Sequence, residues 1–326
     1  MAGSISFASF NLYNFQAVGQ KVYGKIVEQE PYNRKRDWTR EKVKELDADV
    51  IAFQELWSRD CLEDVFNDAD LSDYDLSYIN KDGDPAWYGI AVALAVRRPW
   101  RVSRKENIKQ FPFENITKID EGDGEDDEVD ITINRFSRTI IDAHLVCDDN
   151  DDLPEINLLA AHLKAKLPTR VDRITKDQRR AIGSAISTIR RTAEAAALRW
   201  VLTEKMKATD TPIVVLGDLN DDPRSNTLAL ITEQPSLAPT SRGGDTALYS
   251  ALQMQQLQSY RDVFYTHEYN RLKDTLDHIL VSEQFFGAST DALWRHVDTK
   301  VWNDFLGDKM AHTSDHGLIR AGFKPT

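Results

Sequence analysis

The sequence has few cysteines and no long apolar runs. Only Cys61 and Cys147 occur in 326 residues, so a disulfide framework is excluded, and isolated cysteines without paired histidines disfavour a zinc cage. The start of the chain shows neither a basic segment nor a leader-length apolar run. No stretch approaches the roughly 18 apolar residues of a membrane helix. We therefore expect a cytoplasmic monomer without a membrane span, with a secreted mature form left open.

Glycine and proline are also scarce, with 15 and 11 residues scattered along the chain. No linker-like segment and no internal repeat divides the sequence. A content of 41% hydrophobic and 9% aromatic residues is enough to build a sizeable core. These features predict a single domain over residues 1–326. No glycine-rich loop ends in Gly-Lys-Ser or Gly-Lys-Thr, which excludes a P-loop nucleotide site.

Positive charge is in deficit, because 41 Lys and Arg residues stand against 53 Asp and Glu residues, for a net charge of −12. This balance argues against a protein that binds nucleic acid with its whole surface. The charges are unevenly placed, however. Residues 120–130 hold eight acids and no base, which indicates a solvated acidic face, whereas residues 164–191 hold nine basic residues and two acids.

Short apolar runs recur along the chain, and each ends in a polar cluster. They predict strands near residues 5–11, 49–53, 89–96, 138–146, 156–161, 212–216, 276–281 and 318–323. Helices are predicted over residues 34–46 and 176–207. The second helix has an apolar stripe of Ile182, Ile186, Ile189, Ala193, Ala197 and Val201. Many strands with few long helices predict an α/β (α+β) fold, with two sheets packed face to face and helices outside.

The polar clusters at the strand ends contain residue types that carry chemistry. They hold Asn11, Gln54-Glu55, His162, Asp218 with Asn220, Asp277, and Asp315-His316. Taken singly, each could be a cap, a turn residue or a satisfied core pair. A β scaffold, however, would gather them where its strands end. Asn11, Glu55 and Asp315 offer the oxygen ligands that Mg²⁺ prefers, with Mn²⁺ as a substitute.

The basic stretch begins directly after one of these clusters. Lys164, Lys166 and Arg170 follow His162, so we expect them near the cleft, where they could bind the phosphates of a polymer. The exterior of the long helix is expected to carry four arginines, Arg179, Arg180, Arg190 and Arg191.

Together these segments resemble the endonuclease/exonuclease/phosphatase superfamily, whose members have the DNase I-like fold. The matching motifs occur in the family's order: Phe10-Asn11, Gln54-Glu55, Phe136-Ser137-Arg138, His162-Leu163-Lys164, Gly217-Asp218-Leu219-Asn220, Leu276-Asp277-His278 and Ser314-Asp315-His316. Phe53-Gln54-Glu55-Leu56 and the Ser-Asp-His segment are the most specific of them. The resemblance covers nearly the whole chain and implies a four-layered sandwich, with two packed mixed β-sheets flanked by helices.

The resemblance also implies a metal-dependent phosphoesterase. Glu55 would be the principal Mg²⁺ ligand, with Asn11 and Asp315 completing the metal shell, and Asp218 would orient or deprotonate the attacking water. A phosphodiester is anionic, so an attacking hydroxide must be generated beside negative charge. A divalent ion neutralises that charge while it polarises a phosphoryl oxygen.

Other residues would contact the phosphate itself. The resemblance implies that Asn220 and Arg138 hold phosphate oxygens, and that His316, oriented by Asp277, contacts the scissile phosphate. Donors aimed in advance at the transition state are worth about 3 kcal/mol each. A histidine held by a carboxylate keeps one tautomer and can stay charged near neutral pH.

The sequence departs from the family's branches at several positions. His162 would stabilise charge or assist the leaving group, but residues 87–93 lack the acid that partners this histidine in pancreatic-type DNases, so its partner stays open. Asp221-Asp222-Pro223-Arg224 and Leu276-Asp277-His278 disfavour the inositol-phosphatase branch. Abasic-site endonucleases usually have Tyr where His162 stands, and the leader and membrane hairpin of secreted sphingomyelinases are not found.

Three functions follow from these observations. The leading hypothesis is a nuclease that cuts DNA or RNA, favoured by the basic residues after His162. A phosphomonoesterase or small-molecule or lipid phosphodiesterase is the alternative, favoured by the negative net charge. A catalytically silent binding module would predict losses among the motif residues, yet all are present. Tyr13 and Phe15 could stack on bases, although core packing is the favoured interpretation for both.

Overall fold

The computed structural model describes residues 3–22, 24–79, 89–117, 130–172, 175–259, 261, 265–307, 310 and 312–326. Of the acidic stretch at 120–130, only Asp130 is among them. The strands are β1 (Ile5–Phe15), β2 (Lys21–Val22), β3 (Lys25–Ile26), β4 (Val50–Leu56), β5 (Tyr74–Tyr78), β6 (Ala91–Arg97), β7 (Trp100–Gln110), β8 (Ile116–Thr117), β9 (Asp130–Ile131), β10 (Arg135–Cys147), β11 (Ile156–His162), β12 (Ile213–Asp218), β13 (Tyr249–Ser250), β14 (His267–Tyr269), β15 (Leu272–Asp274), β16 (Asp277–Val281), β17 (Trp294–Trp302) and β18 (Leu318–Pro325). The helices are α1 (Gln29–Leu46), α2 (Arg59–Phe66), α3 (Lys176–Met206), α4 (Asn226–Thr232) and α5 (Ala251–Gln258).

Two mixed six-stranded sheets form the centre of the fold. The first has the strand order β17-β18-β1-β4-β6-β5, and the second has the order β13-β16-β12-β11-β10-β7. Each sheet contains one parallel pair, β1 with β4 and β11 with β12, and its other pairs are antiparallel. Strand β10 pairs antiparallel with β11, the next strand along the chain.

Three apolar clusters separate four layers. Phe7 and Leu94 from the first sheet pack against Leu158 and Leu216 from the second. A second cluster lies between the first sheet and helices α1 and α2, and a third lies between the second sheet and helices α3 and α4. Central strands are therefore covered on both faces, which is why β4 begins as an uninterrupted apolar run. The predicted four-layered sandwich is confirmed.

The longest strands that the sequence did not predict are β7 and β17. Each lies at one edge of its sheet, and each carries several charged residues, among them Arg101 and Lys105 on β7 and Arg295 and Lys300 on β17. Charged side chains on edge strands oppose pairing with other chains. They also hide the apolar pattern by which a strand is predicted.

Helix α1 begins at Gln29, five residues before the predicted start. Its buried face includes Tyr32, Lys35, Thr39 and Val43, at the three- and four-residue spacing of an amphipathic helix. A lysine on this face was not expected from the sequence. The side chain of Lys35 enters the functional site described below.

Helix α3 is confirmed over Lys176–Met206, but the predicted apolar stripe is wrong in its first half. Ile182, Ile186 and Ile189 are 46%, 40% and 45% exposed. The buried face begins instead with Gly183, Ser187, Arg191 and Glu194. This part of the helix packs on the backbone of residues 167–169 rather than on apolar side chains. The Ser187 hydroxyl donates to the Leu167 carbonyl at 2.8 Å, and a Cβ at Gly183 would overlap the Thr169 carbonyl. Among the described residues, no helix is long and apolar enough to cross a membrane.

Candidate active site

The register of three strands places three predicted site residues side by side. His162 ends β11 and pairs with Asp218 at the end of β12, and Asp218 pairs with Asp277 at the start of β16. All three side chains are buried. In the other sheet, β1 and β4 end at the same edge, and β18 begins two residues after His316. The two sheets thus bring their polar strand ends together.

His316 and Asp277 form a hydrogen-bonded pair across the edge of the sheets. Nδ1 of His316 lies 2.8 Å from Oδ2 of Asp277, and Nε2 of His316 lies 3.9 Å from Oδ2 of Asp218. Burial disfavours the charged ring, but the carboxylates of Asp277 and Asp218 outweigh burial and raise the pKa of His316 well above its usual value. The ring is therefore a cation at neutral pH.

Asp218 lies at the centre of the cluster. Its Oδ2 accepts from Nδ2 of Asn11 at 3.1 Å, and its Oδ1 accepts from the backbone N–H of Asn220 at 2.9 Å. Burial raises the pKa of Asp218 to about 7; the nearby carboxylates of Asp277 and Glu55 add to this effect, while His316 opposes it. A buried carboxylate with a pKa near neutrality is suited to proton transfer.

His162 contacts the same carboxylate but differs in charge from His316. Its Nε2 lies 3.4 Å from Oδ2 of Asp218. Burial lowers the pKa of His162 well below its usual value, and the positive charges of Arg138 and His316 lower it further. Nδ1 of His162 has no hydrogen-bond partner among the described residues. Trp87 and Tyr88, in the stretch compared with pancreatic-type DNases, lie outside those residues.

Glu55 lies at the end of β4 with a left-handed backbone, at φ 58°. Its Oε2 accepts from the backbone N–H of Asn14 at 3.0 Å. Burial raises the pKa of Glu55, and the nearby carboxylate of Asp315 raises it further. The charges of these two carboxylates repel each other unless a cation is bound near them, and Asn11 offers an amide oxygen, Oδ1, which also accepts from the backbone N–H of Tyr13 at 2.9 Å. These donors fit Mg²⁺.

Arg138 and Asn220 both bind the carbonyl of Leu163, at 2.9 and 3.1 Å. Arg138 is close enough to lower the pKa of both Glu55 and His162, so its positive charge lies at the site. Burial and Arg138 lower the pKa of Lys164, which places Lys164 beside the same cluster.

The other two predicted substrate-binding cations are exposed and have no contact with the cluster among the described residues. Lys166 forms an ion pair with Asp221 at 3.2 Å, and Arg170 is exposed. The structure thus brings together His162, Asp218, Asn220, Asp277, His316, Arg138, Asn11, Glu55, Asp315 and Lys164, but not Lys166 or Arg170.

The profile of the Endonuclease/Exonuclease/phosphatase family matches residues 8–316 of the chain. The chain belongs to this family. The members of this family are phosphoesterases that generally use a divalent metal ion. Among curated proteins, no sequence matches the chain.

Solved structures share the fold across nearly the whole chain. The human Nocturnin catalytic domain is 18% identical with a TM-score of 0.59, and the alignment covers 100% of this chain and 96% of that one. TDP2 from D. rerio, complexed with a single strand DNA product, is 15% identical with a TM-score of 0.57 and 99% of both chains covered. A mannosyl-6-phosphatase from Bacteroides thetaiotaomicron is 15% identical with a TM-score of 0.55, covering 98% and 100%. At these identities the likeness concerns the fold alone.

Sequence patterns missed the residues of α3 that hold the family motifs in place. The fully buried carboxylate of Glu194 accepts from the backbone N–H groups of Ser137 and Lys164, both at 2.8 Å. Arg191, expected on the helix exterior, is instead 4% exposed and donates to Asp221 at 3.1 Å. The outward prediction for Arg191 is wrong because it lies on the helix face toward the motif loops. The sequence signal that could have identified this face is the position of Arg191 and Glu194, three residues apart, within the apolar stripe of the helix.

Lys35 was also missed, because it belongs to no motif and lies within a helix rather than at the end of a strand. Burial lowers the pKa of Lys35 to about 8, while Asp315 and Glu55 favour its charged form. Its Nζ donates to the Thr313 carbonyl at 3.3 Å and lies 5.6 Å from the centre of the Tyr13 ring. Lys35 therefore ties α1 to the segment before Asp315.

The two aromatics of the first motif have different environments. Phe15 is fully buried against Tyr32, as predicted. The core prediction for Tyr13 is wrong, because β1 curls at Tyr13 and Asn14, both with positive φ, and leaves the Tyr13 ring 43% exposed. This ring lies beside Lys35.

The raised pKa of Asp218 predicts how stability depends on pH. The folded protein holds the proton up to about pH 7, whereas an ordinary Asp loses it near 3.8. Stability contributed by the protonated form is therefore lost as pH rises from 3.8 to about 7. In chelator, Asp218→Asn should raise the melting temperature over wild type, and by more at about pH 8 than at about pH 5. Thermal unfolding at both pH values measures this, and an equal difference at both would contradict the raised pKa.

Proposed function

We propose that the chain is a Mg²⁺-dependent nuclease, acting as one domain over residues 1–326. The observation that carries the proposal is the positive charge of Arg138 and Lys164 beside the His162–Asp218–His316 cluster, with Lys166 and Arg170 exposed in the segment that follows. Cations at the reacting centre and in the chain directly after it suit a polymer with a phosphate at every residue. The Tyr13 ring, which is 43% exposed and lies beside Lys35, offers a surface for base stacking.

The proposed chemistry assigns the proton transfer to Asp218. Its carboxylate takes a proton from a water, the water oxygen attacks phosphorus, and the bond from phosphorus to the leaving oxygen breaks. The raised pKa of Asp218 makes it a stronger base than an ordinary carboxylate. Asn11 and the Asn220 backbone N–H orient it through their hydrogen bonds.

The two histidines are proposed to stabilise negative charge in different ways. His316 is held by Asp277 and is charged, so it can donate an N–H to a phosphate oxygen. His162 is neutral, so it can act on the leaving oxygen through an N–H rather than through a positive charge.

Glu55, Asn11 and Asp315 are proposed to hold Mg²⁺. Bound there, the ion would polarise a phosphoryl oxygen and offset the charge of the attacking group. The backbone N–H of Asn14 fixes one oxygen of Glu55. The other oxygen has no protein donor among the residues described here.

A phosphomonoesterase or small-molecule phosphodiesterase is the second candidate. The net charge of −12 disfavours tight binding of a polyanion. A similar structure belongs to a mannosyl-6-phosphatase, whereas another belongs to TDP2 with a DNA product. Both candidates require the same residues at the reacting centre.

The deciding experiment incubates the pure protein and Mg²⁺ with plasmid DNA, RNA and a panel of phosphomonoesters. The nuclease proposal expects chain cleavage of DNA or RNA at a kcat/KM well above that for any monoester. Monoester turnover without polymer cleavage would favour the second candidate.

Lys164, Lys166 and Arg170 give a sharper test of polymer binding. In Lys164→Ala/Lys166→Ala/Arg170→Ala, KM for nucleic acid should rise steeply at moderate salt while kcat at saturation stays nearly intact. Removing each cation that binds a phosphate should flatten the slope of log K against log salt by about 0.7 to 0.9. A small monoester reaches at most Lys164, so its KM should change far less than the KM for nucleic acid.

A matched control neutralises three lysines elsewhere, Lys44 in the last turn of α1, Lys207 and Lys324. Lys207 follows α3 and Lys324 lies near the end of β18, both at the edge opposite the site. This control should keep the wild-type KM and salt slope. Equal losses on polymer and monoester in the test variant would indicate a structural role. If the test variant loses activity on neither substrate, the phosphomonoesterase hypothesis would be favoured over the nuclease hypothesis.

A further inference from the structure

His267 is a histidine beside the site to which the proposed hydrolysis assigns no role. It begins β14, and an isolated antiparallel β-bridge pairs it with His316. The centres of the two rings are 5.0 Å apart. The backbone N–H of Gly317 donates to the Thr266 carbonyl at 2.6 Å and ties the two segments together. The backbone therefore holds His267 beside the Ser314-Asp315-His316 motif.

Three ligand atoms converge at this place. One atom each from His267, Asp315 and His316 lies within 4.8 Å of the other two. Two ligand atoms that each bind the same Zn²⁺ at about 2.0 to 2.2 Å lie no more than about 4.4 Å apart. A small rotation of the side chains therefore brings all three ligand atoms within bonding distance of one ion. Asp315 is exposed and His267 is partly exposed, so an ion can enter from solvent.

His316 is already oriented as a metal ligand. Asp277 holds its Nδ1 at 2.8 Å, which leaves Nε2 for an ion. A carboxylate on the far ring nitrogen is the usual support of a metal-binding histidine. Another group of Asp218, Asp277 and His316 also lies within 4.8 Å, but it is fully buried, and both oxygens of Asp218 already accept hydrogen bonds.

We propose that His267, Asp315 and His316 form a binding site for a transition-metal ion of the Zn²⁺ class, separate from the Mg²⁺ site expected at Glu55. Two imidazoles and one carboxylate suit Zn²⁺ and Co²⁺, whereas Mg²⁺ prefers oxygen ligands throughout. Three protein ligands leave the fourth position of a tetrahedral ion open to water.

Occupancy of this site should inhibit hydrolysis, a consequence that rests on the proposed function. An ion on Nε2 of His316 removes the N–H that is proposed to contact the scissile phosphate. The same ion engages Asp315, which is proposed to help hold Mg²⁺. Zn²⁺ therefore acts against the Mg²⁺-dependent reaction.

Binding is tested with Co²⁺ alone as a spectroscopic probe of the full chain. A tetrahedral or five-coordinate Co²⁺ site absorbs visible light, and we expect the absorption to saturate at one ion per chain. Zn²⁺ should displace the signal, and excess Mg²⁺ should not. A wild-type protein that shows no saturable absorption would overturn the proposal.

The variants assign the ligands. His267→Asn should lower Co²⁺ affinity by at least about 10-fold, and Asp277→Asn, which loosens His316, by about 10- to 100-fold. His296→Asn is the matched control, because His296 is also a partly exposed histidine but lies on β17, and it should bind as wild type does. His267→Cys should restore binding and add a sulfur-to-cobalt charge-transfer band. Thermal unfolding checks that His267→Asn and wild type are both folded. Equal Co²⁺ affinity in the two folded proteins would exclude His267 as a ligand.

The activity arm separates this inference from the proposed function. Each protein is compared with its own activity without Zn²⁺, and the half-inhibiting Zn²⁺ concentration should rise at least about 10-fold in His267→Asn but not in His296→Asn. Co²⁺ binding without hydrolysis of any substrate would leave the metal site standing and overturn the proposed function. Hydrolysis without Co²⁺ binding would overturn the metal site alone.

Discussion

Excess chelator should abolish phosphoester hydrolysis by this protein, and added Mg²⁺ or Mn²⁺ should restore it. The physical reason lies at Glu55, whose pKa is raised by burial and raised further by the nearby carboxylate of Asp315. Such a pair stabilises a bound cation and is costly without one. Initial rates in chelator, and after titration with each metal, measure the effect. Full activity in excess chelator would rule out the metal-dependent mechanism.

A pair of matched variants locates the ion. Glu55→Gln should raise the Mg²⁺ concentration needed for half-maximal rate by about 100-fold or more, because it removes a proposed direct ligand. Glu283→Gln is the control, since burial also raises the pKa of Glu283, but its carboxylate binds Ser289 outside the site. The control should keep the wild-type Mg²⁺ requirement. Equal shifts in both variants would indicate a general effect of losing a buried carboxylate.

Asp218→Asn and His316→Ala should each lower kcat by about 100-fold or more on the true substrate. The first removes the proposed base, and the second removes a charged donor held toward the phosphate by Asp277. Steady-state kinetics at saturating substrate and Mg²⁺ separate this loss of kcat from a change in KM.

The control for these variants is a buried aspartate elsewhere in the same sheet. Asp142 lies on β10 and forms an ion pair with Lys205 at 2.7 Å. Asp142→Asn should keep the wild-type kcat, whatever it does to the melting temperature. Near wild-type turnover by Asp218→Asn or His316→Ala would show that the assigned role is wrong.

Strand positions were predicted well wherever the strand is central in its sheet. β4, β11 and β12 are buried on both faces, so each contains an apolar run that is followed by polar residues. The edge strands β7 and β17 escaped prediction because only part of their surface is buried. The start of α1 was placed too late, since the residues before 34 carry little apolar periodicity.

Residues of the site were predictable where a family motif contains them, as for Asp218 and His316. Lys35, Glu194 and His267 belong to no motif quoted from the sequence. They reach the site because α1 and α3 pack on the sheets and because β14 bridges to the His316 segment. The single domain, the monomeric state and the cytoplasmic location stay predictions from the sequence.

The sequence by itself determined where most of the buried strands lie along the chain and which motif residues stand at their ends, because an apolar run and the polar residue after it are local features. Only the tertiary structure decided which face of α3 turns inward. Ile182 and Ile186 are exposed there, while Arg191 and Glu194 are buried. That face meets backbone N–H and carbonyl groups of the motif loops, which must be hydrogen-bonded when they are buried. A charged helix face satisfies those groups, and an apolar stripe cannot.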